Sequence, residues 1–175
     1  MGTRLILITG GARSGKSRFA QKSADAMKGR KVFLATAQAL DEEMKSRIEK
    51  HKKERPSGWD TIEEAQHLNA AIKDCGGKYE VVLIDCLTMW ISNLLAHNSF
   101  SESEILKEVR TLIAHCKTIQ STVIMVSNEV GSGIVPASRL SRQFRDIVGR
   151  ANQEVASIAD EVYLVTAGIP LKLKG

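Results

Sequence analysis

Short apolar runs alternate with longer amphipathic segments along this chain. Runs typical of buried strands fall at residues 5–9, 32–35, 81–84, 122–127 and 161–166. Residues 59–63 form a further short β-like stretch, and residues 171–174 are a candidate edge strand. Because strands that alternate with helical segments build β-α units, the pattern predicts an α/β fold with a mainly parallel sheet and helices on both faces.

Two helical segments carry apolar residues at spacings that direct one face toward a core. Their stripes are Leu87, Trp90, Ile91, Leu94 and Leu95 in the first, and Phe144, Ile147, Val148, Ala151, Val155 and Ala159 in the second. We interpret Trp90 as a core side chain rather than a platform for a ligand, because it occupies a stripe position.

The segment between the first strand and the first helix fits the phosphate-loop pattern G-x-x-x-x-G-K-[ST]. Its residues are Gly10, Gly11, Ala12, Arg13, Ser14, Gly15, Lys16 and Ser17. In such loops backbone N–H groups converge on phosphate oxygens, the lysine bridges the β and γ phosphates, and the hydroxyl binds Mg²⁺. A glycine-rich turn without a ligand is disfavoured, because a strand precedes the loop and a helical stripe follows it. The sequence therefore predicts a nucleoside triphosphate site.

Composition and charge narrow the class of protein. The chain has 175 residues, of which 43% are hydrophobic, and this fits one domain over residues 1–175. No apolar run approaches the roughly 18 residues of a membrane span, and no secretory leader precedes the first strand, so we expect a cytoplasmic protein. The net charge of +5 favours anionic partners, which nucleotides satisfy. Nucleic acid is disfavoured, because acidic residues interrupt the basic ones and only 5% of residues are aromatic.

The three cysteines are Cys75, Cys86 and Cys116. Their number is odd and their spacing has no C-x-x-C pair, so the sequence predicts neither a disulfide framework nor a zinc site. We interpret them as reduced thiols.

Residues that follow the strands are candidates for binding, because ligands of open α/β sheets lie at the carboxyl ends of the strands. Asp85 has the place of a Walker-B carboxylate, which would hold Mg²⁺ opposite Ser17. The second strand continues into residues 35–37. Residues 127–136 form a glycine-bearing loop that either closes over a substrate or is a flexible surface connection.

A helical segment at residues 41–56 places a histidine among cations. On a helical wheel His51 lies one turn from Arg47 and one turn from Arg55. The two cations disfavour an imidazolium ion, so a neutral His51 could attack phosphorus while the guanidinium groups bind phosphate. From the residues alone, a solvated surface histidine is the simpler interpretation.

Other charged residues stay open between two interpretations. Glu63 and Glu64 either bind ribose or guanine or are surface carboxylates. Arg139, Arg142, Arg145 and Arg150 either form a solvated helix face or contact an anion or a second subunit.

Together these residues resemble one family, the bifunctional adenosylcobinamide kinase and adenosylcobinamide-phosphate guanylyltransferase of cobalamin biosynthesis. The resemblance spans nearly the whole chain and goes beyond the phosphate loop. Its motifs include Arg47, Ile48, His51, Arg55 and Pro56; residues 85–88 with 93–95; residues 128–131 with 133–136; and residues 144–146 with Gly149, Asn152 and Gln153.

The resemblance implies a RecA-like fold, a homotrimer and two reactions. The family phosphorylates the aminopropanol hydroxyl of adenosylcobinamide with ATP or GTP, and then transfers GMP from GTP to that phosphate. It also implies that His51 carries the GMP, against the surface interpretation. The positions that it implies for GTP contact are Ala35, Thr36, Ala37, Lys52, Lys53, Glu54, Arg55, Glu63 and Asp85.

Other functions remain as alternatives. One is a P-loop kinase without transferase activity, in which His51 is incidental. Another is a nucleotide-dependent switch in which the loop around Gly131 moves and changes a partner. An RNA-binding module is disfavoured, because the aromatic motifs of such modules are missing.

Overall fold

The computed structural model describes residues 3–39, 41–53, 58–97 and 100–175; within these ranges the side chains of residues 47, 50, 51, 53 and 97 are not described. The strands are β1 Arg4–Gly10, β2 Lys31–Ala35, β3 Asp60–Glu63, β4 Val81–Asp85, β5 Thr122–Asn128, β6 Glu161–Thr166 and β7 Ile169–Lys174. The helices are α1 Lys16–Asp25, α2 Glu42–Lys53, α3 Leu68–Cys75, α4 Leu87–His97, α5 Glu102–Thr118 and α6 Arg139–Ile158.

The strands form one seven-stranded sheet in the order β3-β2-β4-β5-β1-β6-β7. Strands β1 to β6 run parallel, and β7 pairs antiparallel with β6. The mainly parallel α/β sheet expected from the sequence is confirmed. Parallel strands end on the same side, so Gly10, Ala35, Glu63, Asp85 and Asn128 all lie at what we call the carboxyl end of the sheet.

Each face of the sheet packs against helices. Helices α3 to α6 cover the face that contains Leu7, Leu34 and Ile84. Helix α1 covers the opposite face, where Ala20 packs against neighbours such as Leu83. Alternate residues of β1, β2, β4 and β5 therefore enter the two cores, as the pleat of a strand requires.

Trp90 is fully buried in the core formed with α3 to α6, as expected from its stripe position. Its indole N–H donates to the Gln66 carbonyl oxygen at 2.8 Å, which satisfies the polar end of the buried ring.

The three cysteines are free and buried, and burial raises the pKa of Cys86 and of Cys116 to about 12. Both thiols are therefore protonated at neutral pH.

Local hydrogen bonds define where several helices begin. Ser101 and Glu104 form a reciprocal capping box at the start of α5, and the Ser138 hydroxyl accepts from Ser141 N at the start of α6. Before α3, the Glu64 carboxylate accepts from the backbone N–H groups of Gln66 and His67, both at 2.8 Å. Burial of Glu64 raises its pKa, but these hydrogen bonds outweigh it and the net pKa is lowered. Within the described ranges, no helix has both the length and the apolar character needed to cross a bilayer.

Candidate active site

The phosphate loop connects the end of β1 to the first residue of α1. Gly15 caps the helix with φ 94°, a left-handed conformation that glycine adopts without a steric penalty. The Lys16 ammonium folds back and donates to the Gly11 carbonyl oxygen at 3.0 Å. The loop thus has the strand, turn and helix N-terminus that a phosphate-binding loop requires.

The turn between β6 and β7 supports the phosphate loop from outside. Gly168 N donates to the Ser14 carbonyl oxygen at 2.8 Å. A Cβ atom on Gly15 would lie 3.2 Å from Gly168 Cα, so the two backbones are in close contact. The turn residues Ala167 and Gly168 both have positive φ, as two-residue hairpins favour. This support was not predicted from the sequence, although the Ala167-Gly168 pair between two apolar stretches is its local signal.

Lys16 lies in a nearly dry setting beside the end of β4. The residue is only 8% exposed, and burial lowers its pKa, while Cys86 and the Asp85 carboxylate partly offset that effect. The peptide bond between Asp85 and Cys86 is cis. The predicted phosphate-binding lysine and the predicted Walker-B carboxylate are therefore close enough to interact.

The donor atoms near this point suit magnesium. Ser17 supplies a hydroxyl and Asp85 a carboxylate, and Mg²⁺ prefers hard oxygen ligands combined with substrate phosphates and water. Among the residues that the structure describes, no cluster of three or more His, Cys, Asp or Glu side chains could hold a metal by itself. A metal here would therefore need oxygen atoms of a bound nucleotide.

Thr36 links the ends of β2 and β4, and Asn93 of α4 joins the segments that follow β2 and β3. The fully buried Thr36 hydroxyl donates to the Cys86 carbonyl oxygen at 2.7 Å and accepts from Cys86 N at 2.8 Å. Asn93 Nδ2 donates to the carbonyl oxygens of Thr36 at 2.8 Å and Ala65 at 2.9 Å. Thr36, predicted as a GTP contact, thus fixes the backbone directly after Asp85.

A second cluster of buried polar side chains lies between β5 and the helices α4 and α6. The hydroxyl groups of Thr88 and Ser127 are 3.1 Å apart, and Ser127 Oγ donates to Asn152 Oδ1 at 2.6 Å. Thr88 Oγ1 also accepts from Asn128 N at 2.7 Å, and Asn152 Nδ2 donates to the Asn128 carbonyl oxygen at 3.0 Å. From the sequence, Asn128 belongs to a predicted loop and to a family motif, and neither Thr88 nor Asn152 has an assigned role.

The predicted guanine-nucleotide residues of α2 and β3 meet at the far side of the sheet. Lys52 Nζ and Glu63 Oε1 are 2.6 Å apart, and both side chains are about half exposed. His51 and Lys53 belong to the same helix, whereas Glu54 and Arg55 lie outside the described residues. Strand β3 is four positions from β1, a separation of about 19 Å at the usual strand spacing. A nucleotide extended along the carboxyl end would face both groups.

The loop after β5 begins beside the phosphate loop. Glu129 N donates to the Gly10 carbonyl oxygen at 2.9 Å, and the Glu129 carboxylate accepts from Gly131 N at 2.9 Å. Farther along, Ile134 is 96% exposed. Arg142 closes the loop by donating to the Ala137 carbonyl oxygen at 2.6 Å. The loop is thus fixed at both ends and exposed between them.

The chain is similar to known proteins over nearly its whole length. A sequence model of the family described as cobinamide kinase / cobinamide phosphate guanyltransferase matches residues 6–173. The bifunctional adenosylcobalamin biosynthesis protein CobU of Escherichia coli K12 is 45% identical, over 97% of this chain and 99% of that protein. CobU of Salmonella typhimurium LT2 is 44% identical over the same shares. CobP of Pseudomonas aeruginosa is 41% identical, over 97% of this chain and 96% of its own length.

Among solved structures, a KaiC-like protein from the archaeon Pyrococcus horikoshii OT3 superposes with a TM-score of 0.53. The likeness covers 93% of this chain and 71% of that one at 16% sequence identity. At this identity the likeness concerns the fold alone, and it confirms the RecA-like P-loop class expected from the sequence.

Proposed function

This chain belongs to the cobinamide kinase / cobinamide phosphate guanyltransferase family, and we propose that it phosphorylates adenosylcobinamide and then guanylylates the product. The observation that carries the proposal is the carboxyl end of the sheet. A phosphate loop with a buried Lys16 beside Asp85 lies at one side of it, and α2 with the Lys52–Glu63 pair lies at the other. Because one sheet carries both groups, we assign both reactions to a single domain over residues 1–175.

In the kinase step, the aminopropanol hydroxyl oxygen attacks the γ-phosphorus of ATP or GTP. The bond from that phosphorus to the β,γ-bridging oxygen breaks, the nucleoside diphosphate leaves, and the hydroxyl proton passes to water. Lys16 exchanges its Gly11 carbonyl partner for phosphate oxygens, and the loop N–H groups and the N-terminus of α1 stabilise the transferred charge. Mg²⁺ held by Ser17 and Asp85 would neutralise further phosphate charge.

In the transferase step, a neutral His51 nitrogen attacks the α-phosphorus of GTP. The bond to the α,β-bridging oxygen breaks, pyrophosphate leaves, and GMP remains on the histidine. A phosphate oxygen of adenosylcobinamide phosphate then attacks the same phosphorus and releases His51 with adenosylcobinamide-GDP. The family resemblance supports this role, together with the place of His51 on α2 next to Lys52.

GTP would lie along the carboxyl end with its phosphates at the phosphate loop and its base toward β3. There Glu63 offers carboxylate oxygens to the N1–H and N2–H groups of guanine, and Lys52 keeps a cation close by. Ala35, Thr36 and Ala37 follow β2, which lies between those two points. Lys53, Glu54 and Arg55 complete the proposed GTP contacts.

Intact-mass measurement after incubation with Mg²⁺ and GTP tests the proposal most directly. We expect a gain of one GMP that His51→Ala abolishes, while the variant retains the kinase step with ATP and adenosylcobinamide. A GMP adduct that persists in His51→Ala would contradict the assignment of the histidine. Kinase activity without any adduct in the unmodified protein would reduce the function to a P-loop kinase.

We also propose a homotrimer. Apart from the family resemblance, the support is an apolar stripe on the edge strand β7, where Ile169, Leu171 and Leu173 are 57–71% exposed on alternate residues. A stripe of this kind is typical of a contact surface. Light scattering coupled to gel filtration should give the mass of three chains, and a monomer would exclude the proposal.

A further inference from the structure

Asn128 ends β5, the strand between the phosphate-loop strand β1 and the Asp85 strand β4. In the register, Asn128 is opposite Gly10, and Asp85 is opposite Val126. Leu83 and Val126, each two residues earlier on their strands, pack in the core beneath α1. Because side chains alternate along a strand, Asp85 and Asn128 project from the same face, which α1 and the phosphate loop cover.

The backbone of Asn128 is held from two sides. Its N–H donates to Thr88 Oγ1 at 2.7 Å, and its carbonyl oxygen accepts from Asn152 Nδ2 at 3.0 Å. Ser127 joins these two groups through hydrogen bonds to both. The three supporting side chains are at most 9% exposed. They belong to α4, β5 and α6, so three elements position one residue.

This support leaves the amide of Asn128 uncommitted. Across the described ranges, its side chain makes no hydrogen bond, while its backbone N–H and carbonyl groups are both paired. Buried polar groups are costly unless they are satisfied, and apolar residues fill most of the surrounding core. The polar cluster holds the backbone of Asn128 in place, and the Asn128 amide keeps two N–H donors. This arrangement suits the recognition of a ligand oxygen.

We propose that Asn128 is a catalytic residue of the kinase step, in which its side-chain N–H donates to an oxygen of the transferred γ-phosphoryl group. Thr88 and Asn152 are positioning residues that act through the Asn128 backbone. The proposal rests on the proposed kinase function. In guanylyl transfer the γ-phosphate belongs to the leaving pyrophosphate and is distant from the attacked phosphorus, so Asn128 contributes less there.

Asn128→Ala and Asn128→Asp test the role of the amide. Removal of one preorganised donor commonly lowers kcat by about 10²–10³-fold, and we expect this for the kinase step, with a smaller change in the nucleotide KM. Formation of GMP-enzyme should fall by less than about tenfold. Asn69→Ala is the matched control, because the Asn69 amide donates to Glu108 between α3 and α5. Unchanged kinase activity, or equal losses in both reactions, would overturn the proposal.

The positioning role is tested by a conservative pair at Thr88. Thr88→Ser keeps the hydroxyl that accepts from Asn128 N, and it should retain the unmodified kcat. Thr88→Val has a similar shape without that acceptor, and it should lower kcat more than it raises KM. If Thr88→Ser and Thr88→Val behave alike, Thr88 does not act through this hydrogen bond and the positioning role is wrong.

A binding measurement separates this inference from the proposed function. The unmodified protein should bind a slowly hydrolysed GTP analogue more tightly than GDP, and Asn128→Ala should reduce that preference by about tenfold. The measurement needs no corrinoid. If the unmodified protein phosphorylates no adenosylcobinamide, the proposed function fails; if Asn128→Ala leaves the preference unchanged, the role of Asn128 fails.

Discussion

The ammonium group of Lys16 lies 3.0 Å from the carbonyl oxygen of Gly11, across the phosphate loop that contains both residues. Without a nucleotide, this hydrogen bond gives the buried ammonium group an acceptor. With a nucleotide bound, phosphate oxygens would take that place. Burial nevertheless lowers the pKa of Lys16, so part of its desolvation cost persists in the folded protein. The charge of Lys16 therefore favours phosphate binding and lowers the free energy of unfolding.

Lys16→Met should separate the effect of the charge on catalysis from its effect on stability. Without the ammonium, the kinase kcat/KM should fall by about 10²–10³-fold or more, because a charge-assisted contact to the transferred phosphoryl is lost. The free energy of unfolding should not decrease, since a lysine whose pKa is lowered on folding opposes folding below its unfolded pKa. Steady-state kinetics and thermal unfolding at pH 7 measure the two effects. A strongly destabilised variant would contradict this account of Lys16.

Gly10→Ala should damage the loop through its contact with β6. A Cβ atom there would overlap the Val165 carbonyl oxygen and lie 2.7 Å from Ser14 Oγ. The backbone must shift to relieve the overlap, so we expect a loss of at least about 1–3 kcal/mol in unfolding free energy and weaker nucleotide binding. Gly133→Ala is the control, because a Cβ atom at Gly133 meets no atom within 4 Å. Equal melting temperatures for the two variants would argue against this close contact.

The phosphate loop could be found from the sequence because its recognisable chemistry is local. Glycines, lysine and hydroxyl lie within residues 10–17, and the strand and helix that flank them have clear apolar patterns. For most strands, the predicted bounds lie within one residue of the observed bounds, because the apolar pattern of a strand is also local. Asp85 could be predicted as a candidate because it directly follows an apolar run.

The supports of the site could not be found in this way. The Gly168–Ser14 hydrogen bond joins opposite ends of the chain, and the Asn152–Asn128 bond depends on how α6 packs over β5. Periodicity gives the buried face of α6 but not the partner of one polar residue on that face. The role of Asn128 follows only from the sheet order, which places β5 between β1 and β4.

Asp160 should make stability depend on acid pH. Its carboxylate accepts from Leu5 N at 2.7 Å and from Lys117 Nζ at 3.0 Å, and the backbone hydrogen bond is the largest cause of its lowered pKa. A lowered carboxyl pKa contributes stability above the unfolded pKa, near 3.8, and that contribution is lost as pH falls through the folded pKa. Asp160→Asn should therefore melt below the unmodified protein at pH 7, and the gap should shrink toward pH 3. A gap that is constant from pH 7 to pH 3 would rule out this linkage.

Glu63→Ala should weaken GTP binding in the transferase step without changing the rate of the kinase step with ATP. A carboxylate that accepts from guanine N–H groups is worth about 1.5–3 kcal/mol, which corresponds to a rise in the GTP KM for guanylylation of roughly 10- to 100-fold. The Lys52–Glu63 ion pair is half exposed, so its loss alone should change the melting temperature little. Lys52→Met breaks the same ion pair and keeps the carboxylate, so it controls for the change in stability alone, because Lys52 is itself a proposed GTP contact. If the rate of ATP-dependent phosphorylation falls as much as that of guanylylation in Glu63→Ala, Glu63 does not recognise the guanine base, and the proposed place of the base beside β3 is wrong.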